Sequence, residues 1–126
     1  MNKQNLLIGG GTLVISIILI AGFVFLNSPK PSNLDGFAAC LKEKKVTFFG
    51  AFWCPHCQNQ KKLFSYAAQY LPYVECSTAD GKNQLQVCKE KNIKSYPTWE
   101  FSDGTRETGE VTLEKLAEKT KCALPK

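Results

Sequence analysis

Apolar residues fall along this chain in two regimes. From Leu6 to Leu26 they run almost unbroken with no charged side chain between them. From Leu34 onward they recur at intervals of three and four or alternate with polar neighbours. The first regime predicts a membrane-crossing helix, since about 20 apolar residues at about 1.5 Å each span the roughly 30 Å hydrocarbon core. Gly9-Gly10-Gly11 concentrates the strongest apolar run into Leu13–Leu26. A cleaved signal peptide is the alternative. Against it, Leu19-Ile20-Ala21 and Leu26-Asn27-Ser28 both begin with leucine where a cleavage site wants a small residue. Residues 1–27 are read as an anchor, 28–33, with Pro29 and Pro31, as a stiff linker, and 34–126 as a folded domain.

Within that domain, Ser32-Asn33-Leu34-Asp35 has the form of a capping box with Asp in place of Glu. Leu34, Phe37, Ala38 and Leu41 follow it at helical spacing. Val46–Phe49 predicts a buried strand. A helix opening at Pro55 is expected to carry Leu63, Phe64, Ala67, Ala68 and Leu71 on one face and to stop before Pro72. Tyr73–Cys76 predicts a short strand, Ser77–Asn83 a loop, and Leu85, Val87 and Cys88 a short helix ending near Asn92. Thr98–Phe101 and Arg106–Glu110 predict a hairpin about Asp103-Gly104. Thr112 is expected to cap a last helix that turns Leu113, Leu116 and Ala117 inward. The order α-β-α-β-α-β-β-α defines an α/β fold with a central mixed sheet of four strands and helices on both faces.

Charge and cysteine content set the compartment. Lys3 before the apolar run favours a cytoplasmic N-terminus, although Lys30, Lys42, Lys44 and Lys45 on the far side weaken that bias. Six cysteines in a domain of this size point to an oxidising compartment. Together these place the domain outside the cytoplasm on a single-pass anchor. The net charge of +5 does not mark a nucleic-acid binder, because the lysines are interleaved with Glu43, Glu90, Glu107, Glu114 and Glu118.

The candidate chemistry lies in Cys54-Pro55-His56-Cys57, at the junction of the first predicted strand and the following helix. A cysteine in the first helical turn faces unpaired backbone N–H groups and the positive end of the helix dipole, and both favour thiolate over thiol. Cys54 is expected to attack, with Cys57 resolving the mixed disulfide. Pro55 suits the first helical position, and a protonated His56 would favour the Cys54 thiolate. A zinc site would need two more ligands, and the chain has no second Cys-x-x-Cys, so no metal is expected. Trp53 and Tyr96, beside the motif and Pro97, are expected to meet a partner's extended segment, whereas Phe52 and Trp99 are expected in the core. A bridge between Cys76 and Cys88 would fix the loop they flank. Cys40 and Cys122 remain, either as a pair tying the first helix to the last or as two buried thiols, since those helices could pack on opposite faces of the sheet.

Trp53-Cys54-Pro55-His56-Cys57 at a strand-to-helix junction and Tyr96-Pro97-Thr98 before the hairpin resemble the thioredoxin fold over about Leu34 to Cys122. The segments Gly50–Cys57, Pro72–Ser77 and Ser95–Phe101 are similar to the thioredoxin-like domain attached to bacterial and plant vitamin K epoxide reductase homologues. The resemblance implies a cis bond before Pro97, beside the redox cysteines, where the backbone pairs with a bound peptide. It implies that Cys76 and Cys88 form a structural disulfide. It also implies a protein disulfide carrier with no cofactor of its own, serving cysteine-containing exported proteins. Its reoxidation would come from a vitamin K epoxide reductase-like membrane partner, with quinone involved only through that partner. Pro55-His56 between the cysteines is shared with DsbA, a strong oxidant, which favours disulfide donation. A reductase or isomerase, and a tethered holdase that uses only the apolar rim, are the competing functions. The chain departs from thioredoxins at Phe48, six residues before Cys54, where those proteins carry a buried acid that assists proton transfer.

Overall fold

The computed structural model describes the backbone of residues 3–28 and 30–126, with side chains from residue 13 onward. The chain divides into two compact units, Met1–Lys30 and Pro31–Lys126. The first holds helix α1, Lys3–Leu26, whose described side chains are all exposed. Among the described residues no helix is long and apolar enough to cross a membrane. The part of the expected Leu6–Leu26 span that precedes residue 13 lies outside the described side chains.

The second unit is built on a four-stranded sheet in the order β2-β1-β3-β4. The strands are β1 (Thr47–Gly50), β2 (Tyr73–Glu75), β3 (Thr98–Glu100) and β4 (Arg106–Thr108). β1 pairs parallel with β2 and antiparallel with β3, and β3 pairs antiparallel with β4, so the sheet is mixed as the element order predicts. Alternation along β1 decides the two faces. Phe48 joins the larger core cluster, with Phe37 and Leu41 of α2 (Asp35–Glu43), Phe64, Trp99 and Leu116 of α5 (Leu113–Thr120). Phe49 points the other way, to Cys76, Ile93 and Cys88 of α4 (Gln86–Glu90). Helices α2 and α5 therefore share one cluster, and this permits the Cys40–Cys122 disulfide, with Cα atoms 5.9 Å apart. The Cys76–Cys88 disulfide forms on the opposite face.

Local signals fix most boundaries. Asp35 reaches back to accept from the Ser32 N–H at 3.0 Å, the acidic half of the expected box. The Ser32 hydroxyl accepts from the Leu34 N–H, one residue earlier than the box requires. Thr112 caps α5 by accepting from the Lys115 N–H at 3.2 Å. Gly104, at φ +81°, turns the hairpin after Asp103.

Three expectations are corrected. The helix after Pro55 is not continuous. It runs as α3 (Pro55–Leu63), then breaks at Ser65, with φ +51°, into a 3-10 helix over Ser65–Tyr70. The break re-phases the inward face, so Phe64, Ala67 and Leu71 are buried while Leu63 is 44% exposed. Phe52, expected in the core, is 49% exposed, because Cys54, not Phe52, turns inward where the chain leaves β1. Strand β4 also ends earlier than expected. Gly109, at φ +86°, turns the chain after Thr108 and carries Glu110 out of the sheet towards α3.

Candidate redox site

β1 delivers the chain to the site, and Pro55 starts the helix there. Cys54 occupies the N-cap of α3 in extended conformation, its N–H donating to the Ala51 carbonyl at 3.0 Å and its carbonyl accepting from the Gln58 N–H at 3.1 Å. Pro55 fills the first helical position, where its missing N–H costs nothing. Cys54 is 6% exposed and Cys57 1%, so both are buried and Cys54 is the less deeply buried of the two. Among the described residues they are the two cysteines outside disulfides. The buried sulfur follows from i+3 spacing, which puts Cys57 one turn into the helix on its sheet-facing side.

The Tyr96–Pro97 peptide is cis, as the resemblance implies. It brings the Tyr96 carbonyl to 3.7 Å from the Cys54 Sγ. A backbone acceptor thus lies beside the outer sulfur, with Pro97 itself buried. Trp53 is 48% exposed, packs edge-on to Tyr96 at 6.2 Å, and donates from its Nε1 to the Ser77 Oγ at 2.8 Å. Trp53 and Tyr96 thus stand together beside Cys54, and exposed Phe52 is next to Trp53 in sequence. Trp99 instead stacks on Phe48 in the core, at 4.6 Å between ring centroids.

The His56 side chain is exposed. Its Nδ1 lies 2.7 Å from the Glu110 Oε1, and Asn59 donates to the same oxygen at 3.3 Å. These contacts hold the Glu110 carboxyl below the usual carboxylate range, the His56 bond first and the Asn59 bond second. The tuning imidazole expected from sequence thus sits against an exposed carboxylate.

Burial pushes the Cys57 thiol up to about 12, opposed by a hydrogen bond at the Ala51 backbone and by the Lys61 charge. Behind Cys57, Gly50 has no room for a side chain. A Cβ there would come within 2.9 Å of the Cys57 Sγ and 2.8 Å of the Tyr73 ring. Tyr73 donates to Glu75 at 2.7 Å, and the Lys61 ammonium sits 3.3 Å from the Tyr73 ring centroid. Burial first, and then Glu75, raise the Tyr73 hydroxyl above its ordinary value. Glu75 also accepts from the Ser77 N–H at 2.8 Å and the Phe52 N–H at 3.3 Å, which fixes the loop ahead of Cys54. Sequence reading missed Gly50, Lys61, Tyr73, Glu75 and Glu110 as site residues. The pairing of β1 with β2 brings Tyr73 and Glu75 there and the turn at Gly109 brings Glu110, while Lys61 comes one helical turn after Cys57. Among the described residues no group of three His, Cys, Asp or Glu side chains is placed to hold a metal.

The thioredoxin family model matches residues 30–122, and the chain belongs to that family. It is 42% identical over 76 residues to the thiol-disulfide oxidoreductase LTO1 of Arabidopsis thaliana, an alignment covering 57% of this chain and 20% of that protein. It is 32% identical over 74 residues to protein disulfide-isomerase A5 of Bos taurus, covering 53% of this chain and 14% of that one. The chain thus spans about a fifth or less of these curated relatives. It is also similar to the solved structure of thioredoxin O2 from Arabidopsis thaliana in the oxidized state, with 16% identity and a TM-score of 0.39 over 75% of this chain and 90% of that one.

Proposed function

We propose that this protein is a membrane-anchored, extracytoplasmic thiol–disulfide oxidoreductase that donates the Cys54–Cys57 disulfide to cysteine-containing exported proteins. The observation that carries this reading is the pairing of an outer Cys54 with an inner Cys57 beside the carbonyl of a cis Tyr96–Pro97 bond. A client's extended segment would pair with the backbone ahead of Pro97 and rest on Trp53 and Tyr96. Its thiolate would attack the Cys54 Sγ, releasing Cys57. A second client thiolate would then attack the client sulfur of the mixed disulfide, leaving the client oxidised and both cysteines reduced.

Reoxidation falls to a vitamin K epoxide reductase-like membrane oxidase that passes the electrons to quinone. The likeness to LTO1, itself named a thiol-disulfide oxidoreductase, supports the exchange chemistry. The apolar run over Leu6–Leu26 supports the anchor. Two disulfides within residues 31–126, besides the redox pair, suit an oxidising compartment. The domain would need no cofactor of its own.

The test is transfer. The oxidised chain, mixed with a reduced unfolded two-cysteine protein, should pass on one disulfide per chain, and Cys54→Ser should abolish it. No transfer by the oxidised wild-type chain would refute the reading. Cys57→Ser should accumulate mixed disulfides through Cys54, whose identification names clients and membrane partner.

The name of the bovine relative favours a second reading, an isomerase or reductase working from the reduced form. Equilibration with glutathione separates the two: a potential near about −270 mV supports the reductant and one near about −120 mV the oxidant.

A further inference from the structure

We propose that Tyr73 and Glu75 form a proton relay for Cys57, which meets Tyr73 across the bare face of Gly50. This rests on the disulfide-exchange reading above. Tyr73 and Glu75 stand two residues apart on β2 and so share one face of the strand. The tyrosine hydroxyl spans the gap to Oε2 of Glu75 at 2.7 Å, while Oε1 is held by the Ser77 and Phe52 N–H groups. A Cβ on Gly50 would lie 2.9 Å from the Cys57 Sγ and 3.4 Å from the Tyr73 Oη. Sulfur and hydroxyl therefore both pack against the bare face of Gly50, close enough to exchange a proton directly or through a single water. Any side chain at position 50 would push the sulfur and the tyrosine ring apart.

The charged and titratable groups around Cys57 are Cys54 at the N-cap of α3, Lys61 within that helix and Tyr73 on β2, with Glu75 reached through Tyr73. Lys61, one turn beyond Cys57, lies over the tyrosine ring and offsets negative charge formed there. Phe48, opposite Tyr73 in the sheet, offers no acceptor. Buried Cys57 holds its proton at neutral pH, so it cannot resolve a mixed disulfide until something takes that proton.

The step balances without an external reactant. The Cys57 S–H proton passes to the Tyr73 Oη as the tyrosine O–H proton passes to Oε2 of Glu75. The Cys57 thiolate attacks the Cys54 Sγ, the Cys54–Cys57 bond forms, and the client sulfur leaves with its electron pair. The chain is oxidised and the client reduced by two electrons. In the donating direction Cys57 is the leaving thiolate and recovers the proton along the same path.

The full reduced chain, in detergent micelles, is mixed with substoichiometric dithiobis(nitrobenzoate), and release of the coloured thiolate is followed from about pH 6 to about pH 10. The first phase reports Cys54 attack; the second, absent in Cys57→Ser, reports resolution. Tyr73→Phe and Glu75→Gln should each leave the first phase within about twofold and slow the second at least about tenfold near pH 7. That deficit should narrow as pH rises and hydroxide replaces the lost acceptor, and the double variant should be no slower than the singles. Tyr73→Phe removes only a hydroxyl and so guards against misfolding of Glu75→Gln. An unchanged second phase, a deficit equal at every pH, or equal slowing of both phases would overturn the relay. Absence of the first phase in the wild-type chain would instead refute the exchange reading itself.

Discussion

Gln60 and the backbone of Val111 exchange two hydrogen bonds: the Gln60 Nε2 donates to the Val111 carbonyl at 2.9 Å, and the Val111 N–H donates to the Gln60 Oε1 at 2.7 Å. Gln60 is fully buried, so the amide acts as a clip between α3 and the segment entering α5, one turn beyond Cys57. It also satisfies a stretch of backbone that has left the sheet after Gly109.

Replacing that amide exposes its value. Gln60→Leu keeps the bulk but strands a buried N–H and a carbonyl, each costing about 1–3 kcal/mol. The expected loss is about 2–4 kcal/mol in denaturant unfolding, well above that of a surface glutamine such as Gln69→Leu. A loss under about 0.5 kcal/mol would show that the clip does not hold α3.

The Cys57 thiol makes stability pH-dependent in the reduced chain. Its folded-state value is raised from 9.0 to about 12, so the native state holds a proton that the unfolded state gives up first. The stabilisation is complete below about pH 9 and is lost as pH rises towards 12. Melting temperature of the reduced wild-type chain should therefore fall between about pH 8.5 and about pH 10.5 more steeply than that of Cys57→Ser, which lacks the group. Parallel curves would contradict the assignment.

Glu110 carries the opposite sign. Its carboxyl is lowered from 4.5, chiefly by His56, so its contribution is present above about pH 4.5 and lost as pH falls through the lowered value. The midpoint, followed by carboxyl resonances, should move back up in His56→Ala and by less in Asn59→Ala. A larger move in the asparagine variant would reverse the order of the two causes.

The two disulfides should separate stability from chemistry. Removing the Cys40–Cys122 bridge opens a loop of 82 residues and should cost about 4–5 kcal/mol, while Cys76–Cys88, with a separation of 12, should cost about 3 kcal/mol. Paired alanine variants are compared by denaturant unfolding with Cys54 and Cys57 intact. If either pair is a redox relay, its loss should abolish disulfide transfer by the folded variant; as staples, they should leave transfer unchanged.

Short-range order was open to sequence reading because its causes lie within a few residues. Pro55 starts a helix by its own ring, Thr112 caps one through a hydroxyl three residues from its partner N–H, and Gly104 turns the hairpin by tolerating positive φ. The cysteine motif is equally local, since helical pitch alone places Cys57 one turn after Cys54. The helical period over residues 55–71 misled where Ser65 adopts a left-handed conformation, which no pattern of apolar residues encodes.

From the amino-acid order came the four strands, the helix behind Cys54 and the two cysteines at its start. Packing across the sheet decided the rest: that α2 and α5 share a face and join Cys40 to Cys122, that Phe52 lies outside, and that Glu75 and Tyr73 stand behind Cys57 while Glu110 meets His56. Those contacts join residues from 16 to 82 positions apart, or depend on which way a strand turns its side chains. Propensity and spacing act only between near neighbours, whereas such meetings are set by burial of the whole core at once.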